Sequence, residues 1–195
     1  MDSTLGVAFD VLDYALLSAP GAPLKQALLD AGIGKDIYGD YSDGVLQPFF
    51  SIVAKGAKTS QKEKFVSVIR NCLQDIVRNG IDKKAILAGI NYMEFRYREA
   101  DFGQFPKGLM YGLDIMGSWL YDDENDFSQV QLLSIYERLK EAVNEGYFEK
   151  LIQKWLLDTT HGMILTLVPK RGLAAQREKE LADKLESNDT RVYYR

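Results

Sequence analysis

The sequence predicts an α+β fold, a small antiparallel sheet packed on one face by helices, with the sheet incomplete. Three observations carry this. Apolar residues recur at helical spacing through most of the chain. A single Asp-Gly hairpin signal, Asp43-Gly44, separates two β-prone runs. The resulting order, α-α-β-β-α-α-α-α-α-β-α, lacks the strand–helix alternation of a doubly wound sheet.

Residues 3–18 form the first helix, with Leu5, Phe9, Leu12 and Leu16 on one stripe. Ala19-Pro20-Gly21-Ala22 breaks it, because proline cannot continue a helix. The second helix opens with Pro23 in its first turn and closes on Gly32. Strands are expected over 36–41 and 45–55, where Pro48 cannot donate to a ladder and marks an edge or a bulge. Ser60 and Glu63 make a capping box for a helix over 60–79 whose inner face is Phe65, Ile69, Leu73 (or Cys72), Ile76 and Val77. Asp82 caps the next helix, which runs from Lys83 to about Asp101. A Gly- and Pro-containing loop leads to a helix over 109–121, and an acidic turn follows at 122–126. Further helices are expected over 127–144 and 147–157, separated by Gly146. His161–Val168 reads as a third strand stopped by Pro169. Arg171–Glu186 reads as a charged helix with Leu173, Leu181 and Leu185 on a thin stripe, stopped by Ser187-Asn188-Asp189. Thr190–Tyr194 reads as a short strand or a loose tail. The domain division that follows is an α+β domain over 1–170 and a helix with its tail over 171–195.

Three strands are few for a sheet, and a helix beginning at residue 3 needs a surface to lie on. A strand before residue 1 is therefore expected to be missing. An open sheet edge recruits partners, so an edge-strand dimer is expected.

Composition limits function. The chain has 195 residues, 46% hydrophobic and 27% charged, which suits a globular domain with a sizeable core. The net charge of −4 supplies no basic footprint for nucleic acid. No apolar run approaches the ~20 residues of a membrane span, and no signal peptide is expected. With one cysteine, Cys72, no internal disulfide or multi-thiolate zinc site can form. With one histidine, His161, neither His-Glu-x-x-His nor His-x-x-Glu-His can be written.

Cys72 lies mid-helix beside an apolar stripe, whereas a reactive thiolate wants a helix N-terminus or a cationic neighbour. It reads as a small core residue, and His161 as a structural or surface imidazole. A Cys72/His161 hydrolase is the weakest of the functional readings. Residues 94–102 are the densest polar–aromatic cluster. Glu94 and Arg98 pair at i, i+4, and Glu99 has no second carboxylate at a fixed spacing to share acid–base work. The cluster reads as a helix end whose charges pair with a neighbour. Tyr111, Trp119 and Tyr121 read mainly as core, with a substrate-facing wall as the alternative. Lys55, Lys58, Lys62 and Lys64 read as a solvated face. Gly103–Gly108 lacks the phosphate-loop spacing and the strand that would feed it.

Several ordered motifs nevertheless line up with one family. They are Leu12-Asp13-Tyr14-Ala15-Leu16-Leu17-Ser18-Ala19-Pro20-Gly21-Ala22-Pro23-Leu24, Phe95-Arg96-Tyr97-Arg98-Glu99-Ala100-Asp101-Phe102-Gly103, Pro106-Lys107-Gly108-Leu109, Ser118-Trp119-Leu120-Tyr121-Asp122, Gly146-Tyr147-Phe148-Glu149-Lys150-Leu151-Ile152 and Leu156-Leu157-Asp158-Thr159-Thr160-His161. Over roughly residues 5–180 the chain resembles the presequence-protease subfamily of the insulinase/pitrilysin (inverzincin) zinc metallopeptidases. Members are long chains of two halves joined by a helical hairpin, enclosing a chamber for unfolded peptides. The zinc motif lies in the first domain. This chain resembles the second, non-catalytic domain of the N-terminal half, and Arg171–Glu186 the start of the hairpin.

The resemblance implies a fragment of a zinc-dependent metalloendopeptidase that shapes the peptide chamber and is inactive alone. Its partners would be the parent's remaining domains and unfolded peptide. No catalytic residue and no metal ligand carries over. Zinc is expected in the parent and no cofactor in this segment. Arg96, Tyr97, Arg98, Glu99, Tyr111 and Trp119 are the candidates for the chamber surface. The alternative is a stand-alone, non-catalytic binding or scaffold module of the same fold. A bacterial cytoplasm is the expected setting, with an organellar matrix as the alternative.

Overall fold

The computed structural model describes residues 2–100, 102–121, 124, 127 and 130–192. Two units separate, Met1–His161 and Gly162–Arg195. The first closes nine residues before the boundary the sequence suggests, because the run 162–170 leaves the first unit.

Helix α1, Ser3–Asp13, is capped by Asp2, whose carboxylate accepts from the Thr4 and Leu5 amides at 3.0 and 3.2 Å. It continues into a π-helical turn, Tyr14–Ser18. Val7, Ala8, Phe9, Val11, Leu12, Ala15, Leu16 and Leu17 are all buried, so this stretch is the core helix. Ser3–Asp30 is the one stretch among the described residues long and apolar enough to cross a membrane, and 56% of its most apolar window is buried inside the protein. Helix α2, Pro23–Asp30, carries Pro at its start. It ends in a Schellman motif: Gly32 at φ +68° donates to Leu29 O and Ile33 to Leu28 O.

Strands β1, Asp36–Ser42, and β2, Phe49–Lys55, pair antiparallel with Ile37 opposite Ala54, Gly39 opposite Ile52 and Tyr41 opposite Phe50. Pro48 stands just outside β2, where its missing N–H costs no ladder bond. Ile37, Tyr41, Phe50, Ile52 and Ala54 join the core, and Phe9 of α1 stacks on Tyr41 at 5.0 Å and packs on Phe50 at 5.9 Å. Gly39 lets the helix come this close. A Cβ there would sit 2.1 Å from Asp13 Oδ1 and 2.3 Å from Leu17 Cδ1.

Helix α3, Lys62–Asn79, follows a 3₁₀ turn, Thr59–Gln61. Ser60 does not cap it; the Gln61 side chain instead accepts from the Lys58 amide at 2.9 Å. Asp82 caps α4, Lys83–Glu99, through the Lys84 and Ala85 amides. Asp101 lies outside the described residues. Helix α5, Lys107–Trp119, follows. Apart from Glu124, the acidic turn at 122–126 also lies outside the described residues. Helix α6, Leu133–Ala142, starts later than the apolar pattern suggests. Helix α7, Tyr147–Ile152, leads into a second π-helical turn, Gln153–Leu157.

The run His161–Val168, which starts at the last residue of the first unit, is not a strand. A β-prone run becomes a strand only when a neighbour completes its ladder, and among the described residues the sheet has two strands. Helix α8, Leu173–Val192, runs through Ser187-Asn188-Asp189, so these residues do not stop it, and Thr190 is helical. Tyr193 and Tyr194 lie outside the described residues.

Candidate functional site

Three places in the first unit concentrate chemistry. The first is the C-terminal half of α4. Glu94 is buried, with 8% of its surface left to water. Its Oε1 accepts from Arg98 Nε at 2.8 Å and Arg98 Nη2 at 2.5 Å, and Oε2 accepts from Lys140 Nζ of α6. These donors hold its carboxyl below the usual carboxylate range, Lys140 first and Arg98 second. One turn on, the Tyr97 hydroxyl donates to Val130 O and accepts from the Leu132 amide at 3.3 Å. Its ring packs on Tyr136 at 6.0 Å. This side of α4 therefore ties α6 and the segment before it to the core. Arg96 lies over the Tyr92 ring at 5.7 Å, and Tyr92 stacks on Tyr14.

The second place is α5. Leu109, Leu113, Met116 and Leu120 recur at i, i+4, i+7, i+11, and each is about half exposed or more. Trp119 and, at the end of α4, Phe95 are exposed as well. Tyr111 meets Phe102 edge to face at 5.3 Å, and Lys107 Nζ donates to Glu99 O at 3.1 Å, which joins α5 to the end of α4. Of the six candidate chamber residues, Tyr97 and Arg98 hold the structure together. Tyr111 and Trp119 are on the exposed apolar helix itself, Glu99 meets it through its carbonyl, and Arg96 lies over Tyr92 instead. Leu109, Leu113 and Met116 stand at helical spacing in the sequence. Their exposure among the described residues is a tertiary property that spacing does not show.

The third place is acidic. Asp10 and Asp13 of α1 approach Asp40 of β1 and Asp43 of the hairpin loop. Burial first, then Asp43, Asp13 and Asp40, pushes the Asp10 carboxyl from 3.8 up to about 7. Burial likewise raises Asp13, against a 3.5 Å hydrogen bond from Ser18, with Asp40 adding to the rise. Asp13 Oδ1 has no hydrogen-bond partner among the described residues. Asp114 of α5 is raised by burial and Asp43.

Cys72 lines an open groove of about 480 Å³ with Pro23, Ala27, Val68 and Ile76. Burial, then Asp75, pushes its thiol up, which opposes nucleophile chemistry. His161 is exposed at the end of the first unit.

Comparison with known proteins places this geometry. Protein HypA of Clostridium perfringens is 42% identical over 185 residues, 95% of this chain and 19% of that protein. Presequence protease 1, chloroplastic/mitochondrial, of Arabidopsis thaliana is 31% identical over 191 residues, 95% of this chain and 18% of that protein. Over nearly its whole length the chain is thus similar to one stretch of these longer proteins. The mitochondrial presequence protease of Schizosaccharomyces pombe shares 22% identity over 191 residues, again 95% of this chain. The chain thus spans about a fifth of the length of the curated relatives it matches. No protein-family model matches it. A solved chain described as the inactive peptidase domain of a zinc protease from Bordetella parapertussis superposes with a TM-score of 0.62 at 14% identity, covering 87% of this chain and 88% of that one. At that identity the likeness shows the fold.

The residues present do not fit a zinc site of the presequence-protease kind. One imidazole and one raised, half-buried thiol are too few soft donors. Among the described residues no group of three or more His, Cys, Asp or Glu side chains is arranged to hold a metal ion.

Proposed function

We propose that this chain forms a non-catalytic part of a zinc metalloendopeptidase, a wall of the space in which unfolded peptide is held. The observation that carries it is the match to presequence proteases across 95% of the chain but only about a fifth of theirs. The exposed apolar helix α5 supports it: Leu109, Leu113, Met116 and Trp119 offer the sequence-tolerant contact an extended peptide needs. Arg96 and Glu99 supply charge at the same end of α4. Zinc and the general base belong to other parts of the parent in this reading.

The test is a chimera. This chain replaces the matching stretch of the Arabidopsis presequence protease, with a photo-crosslinking residue at Leu113 and, as control, at Ser67 on α3. The chimera is expected to cleave an unfolded peptide and to crosslink it from position 113 and not from 67. The chain alone is expected to give no turnover with or without added zinc. Zinc-dependent turnover by the chain alone, or equal crosslinking from both positions, would refute the proposal.

A further inference from the structure

Gly6, Asp10, Asp13 and Leu17 recur at i, i+4, i+7, i+11 and form the face of α1 and its π-helical turn on which β1 lies. Gly39 of β1 touches this face at Asp13 and Leu17. A Cβ on Gly6 would lie 3.9 Å from Asp43 Oδ2 and 4.0 Å from the Tyr41 ring. Asp10 stands between these two contacts, so Asp40 and Asp43 of the hairpin face Asp10 and Asp13 across the joint. Among the described residues no cation is within ion-pair distance of any of the four. The other groups around the joint are the hydroxyls of Tyr41 and of Tyr136 on α6, with Asp2 beside Tyr41 and Asp114 of α5 beside Asp43. Glu94 of α4 faces Tyr136 and holds Arg98 and Lys140, while Arg138 of α6 donates to Thr4 Oγ1 at 3.1 Å.

The hairpin is tied at one end only. At its base Ile37 is fully buried and Lys35 N donates to Lys55 O at 2.8 Å. There too Gln61 Nε2 donates to Gly32 O at 2.9 Å and Lys64 Nζ to Ala31 O at 2.7 Å. At its tip Leu46 is 71% exposed, and among the described residues no hydrogen bond ties residues 43–48 to a helix. A two-stranded hairpin is marginal on its own, so its contact with α1 decides whether the tip stays down.

We propose that the acidic half of this hairpin is a proton-controlled latch: it lies on α1 while Asp10 holds a proton, and lifts, hinged at its base, when Asp10 and its neighbours are all charged. Lifting hydrates the aspartates and uncovers the Phe9 and Tyr41 rings that stack across the joint. In the closed latch burial, then Asp43, Asp13 and Asp40, raises Asp10 from 3.8 to about 7, and in the open latch water returns it toward 3.8. The closed form therefore binds the extra proton. Closure is strongest below pH 3.8, weakens as pH rises toward about 7, and is constant above.

Amide hydrogen exchange of the full chain, followed by NMR at pH 5 and pH 8 and corrected for intrinsic rates, tests it. Once lifted, the hairpin has only its own ladder, so its amides exchange. Protection of the paired amides from Gly39 to Ser42 is expected to fall at least about tenfold between the two pH values. Because a lifted hairpin exposes little surface, this exchange is expected to change little in dilute urea, whereas Leu151 and Ile152 of α7 keep the steep urea dependence of global unfolding. Asp10→Asn is expected to hold the hairpin at pH 8 as firmly as at pH 5. Asp43→Asn, in the loop, is expected to shrink the fall, and serves alone if the first variant does not fold. Wild-type protection unchanged by pH, a loss with the urea dependence of Leu151 and Ile152, or a loss of full size in the variants would each overturn the proposal.

Discussion

Asp10→Asn should stabilise the protein at neutral and alkaline pH and leave it nearly unchanged in acid. In the native state burial, with Asp43, Asp13 and Asp40 nearby, lifts the Asp10 carboxyl from 3.8 to about 7. Tyr136 of α6 feels the same charge, its hydroxyl pushed up to about 12 by burial and then by Asp10. The folded protein therefore holds a proton that the unfolded chain has released. This contribution is complete below pH 3.8, is lost as pH rises toward about 7, and is flat above. A displacement of that size corresponds to about 4 kcal/mol at 1.36 kcal/mol per tenfold. Residual water contact at a site not fully buried lowers this to roughly 2–4 kcal/mol. Asparagine has the shape of the neutral acid and never carries the charge. Urea denaturation at pH 4.5, 6 and 8 is the assay. The wild type should lose stability across this range, and the variant should lose much less. The gap should approach 2–4 kcal/mol at pH 8 with the urea slope unchanged. An equal change at all three pH values, or no gain at pH 8, would refute the account.

Three further outcomes follow from the same structure. Lys140→Met leaves Glu94 with Arg98 alone and should cost about 1–3 kcal/mol in chemical denaturation, at the low end for a buried pair because Arg98 is half exposed; no loss would mean that the ion pair is ornamental. Gly39→Ala should cost about 2–4 kcal/mol, since its Cβ would meet Asp13 and Leu17 at 2.1 and 2.3 Å, while Gly112→Ala, open on the exposed helix, should stabilise by about 0.5–1 kcal/mol; thermal melts of the two that agree in sign would contradict the packing described. Cys72 should react with a maleimide at pH 7 at least about tenfold more slowly than a free thiol and at the free rate in urea, because burial and Asp75 raise its pKa; fast native labelling would return it to the candidate nucleophiles.

Local signals carried far where chemistry is local. Asp2 and Asp82 cap helices through amides two and three residues on, and Gly32 closes α2 by its positive φ, so sequence spacing suffices to read the Asp82 cap and the Gly32 stop. Glu94 and Arg98 stand at i, i+4 and do pair. The reading failed where a distant partner decides. His161–Val168 has the pattern of a strand but no ladder, and Ser187-Asn188-Asp189 does not end α8. The Tyr97 hydroxyl bridging Val130 and Leu132, and Lys140 reaching Glu94 from α6, join residues more than thirty positions apart. The site was half legible: the aromatic stretch near Tyr111 and Trp119 stood out, but that its Leu109–Met116 stripe is uncovered did not.

The sequence by itself determined the α+β class, most helices, the hairpin, and the shortage of zinc ligands, because these depend on periodicity, caps and a count of imidazoles and thiols. Only the tertiary structure decided which charges are buried, that Asp10 and Asp13 of α1 meet Asp40 and Asp43, and that α5 and α8 leave apolar side chains exposed. Those properties depend on what packs against a side chain from elsewhere in the chain, and neither spacing nor composition encodes it.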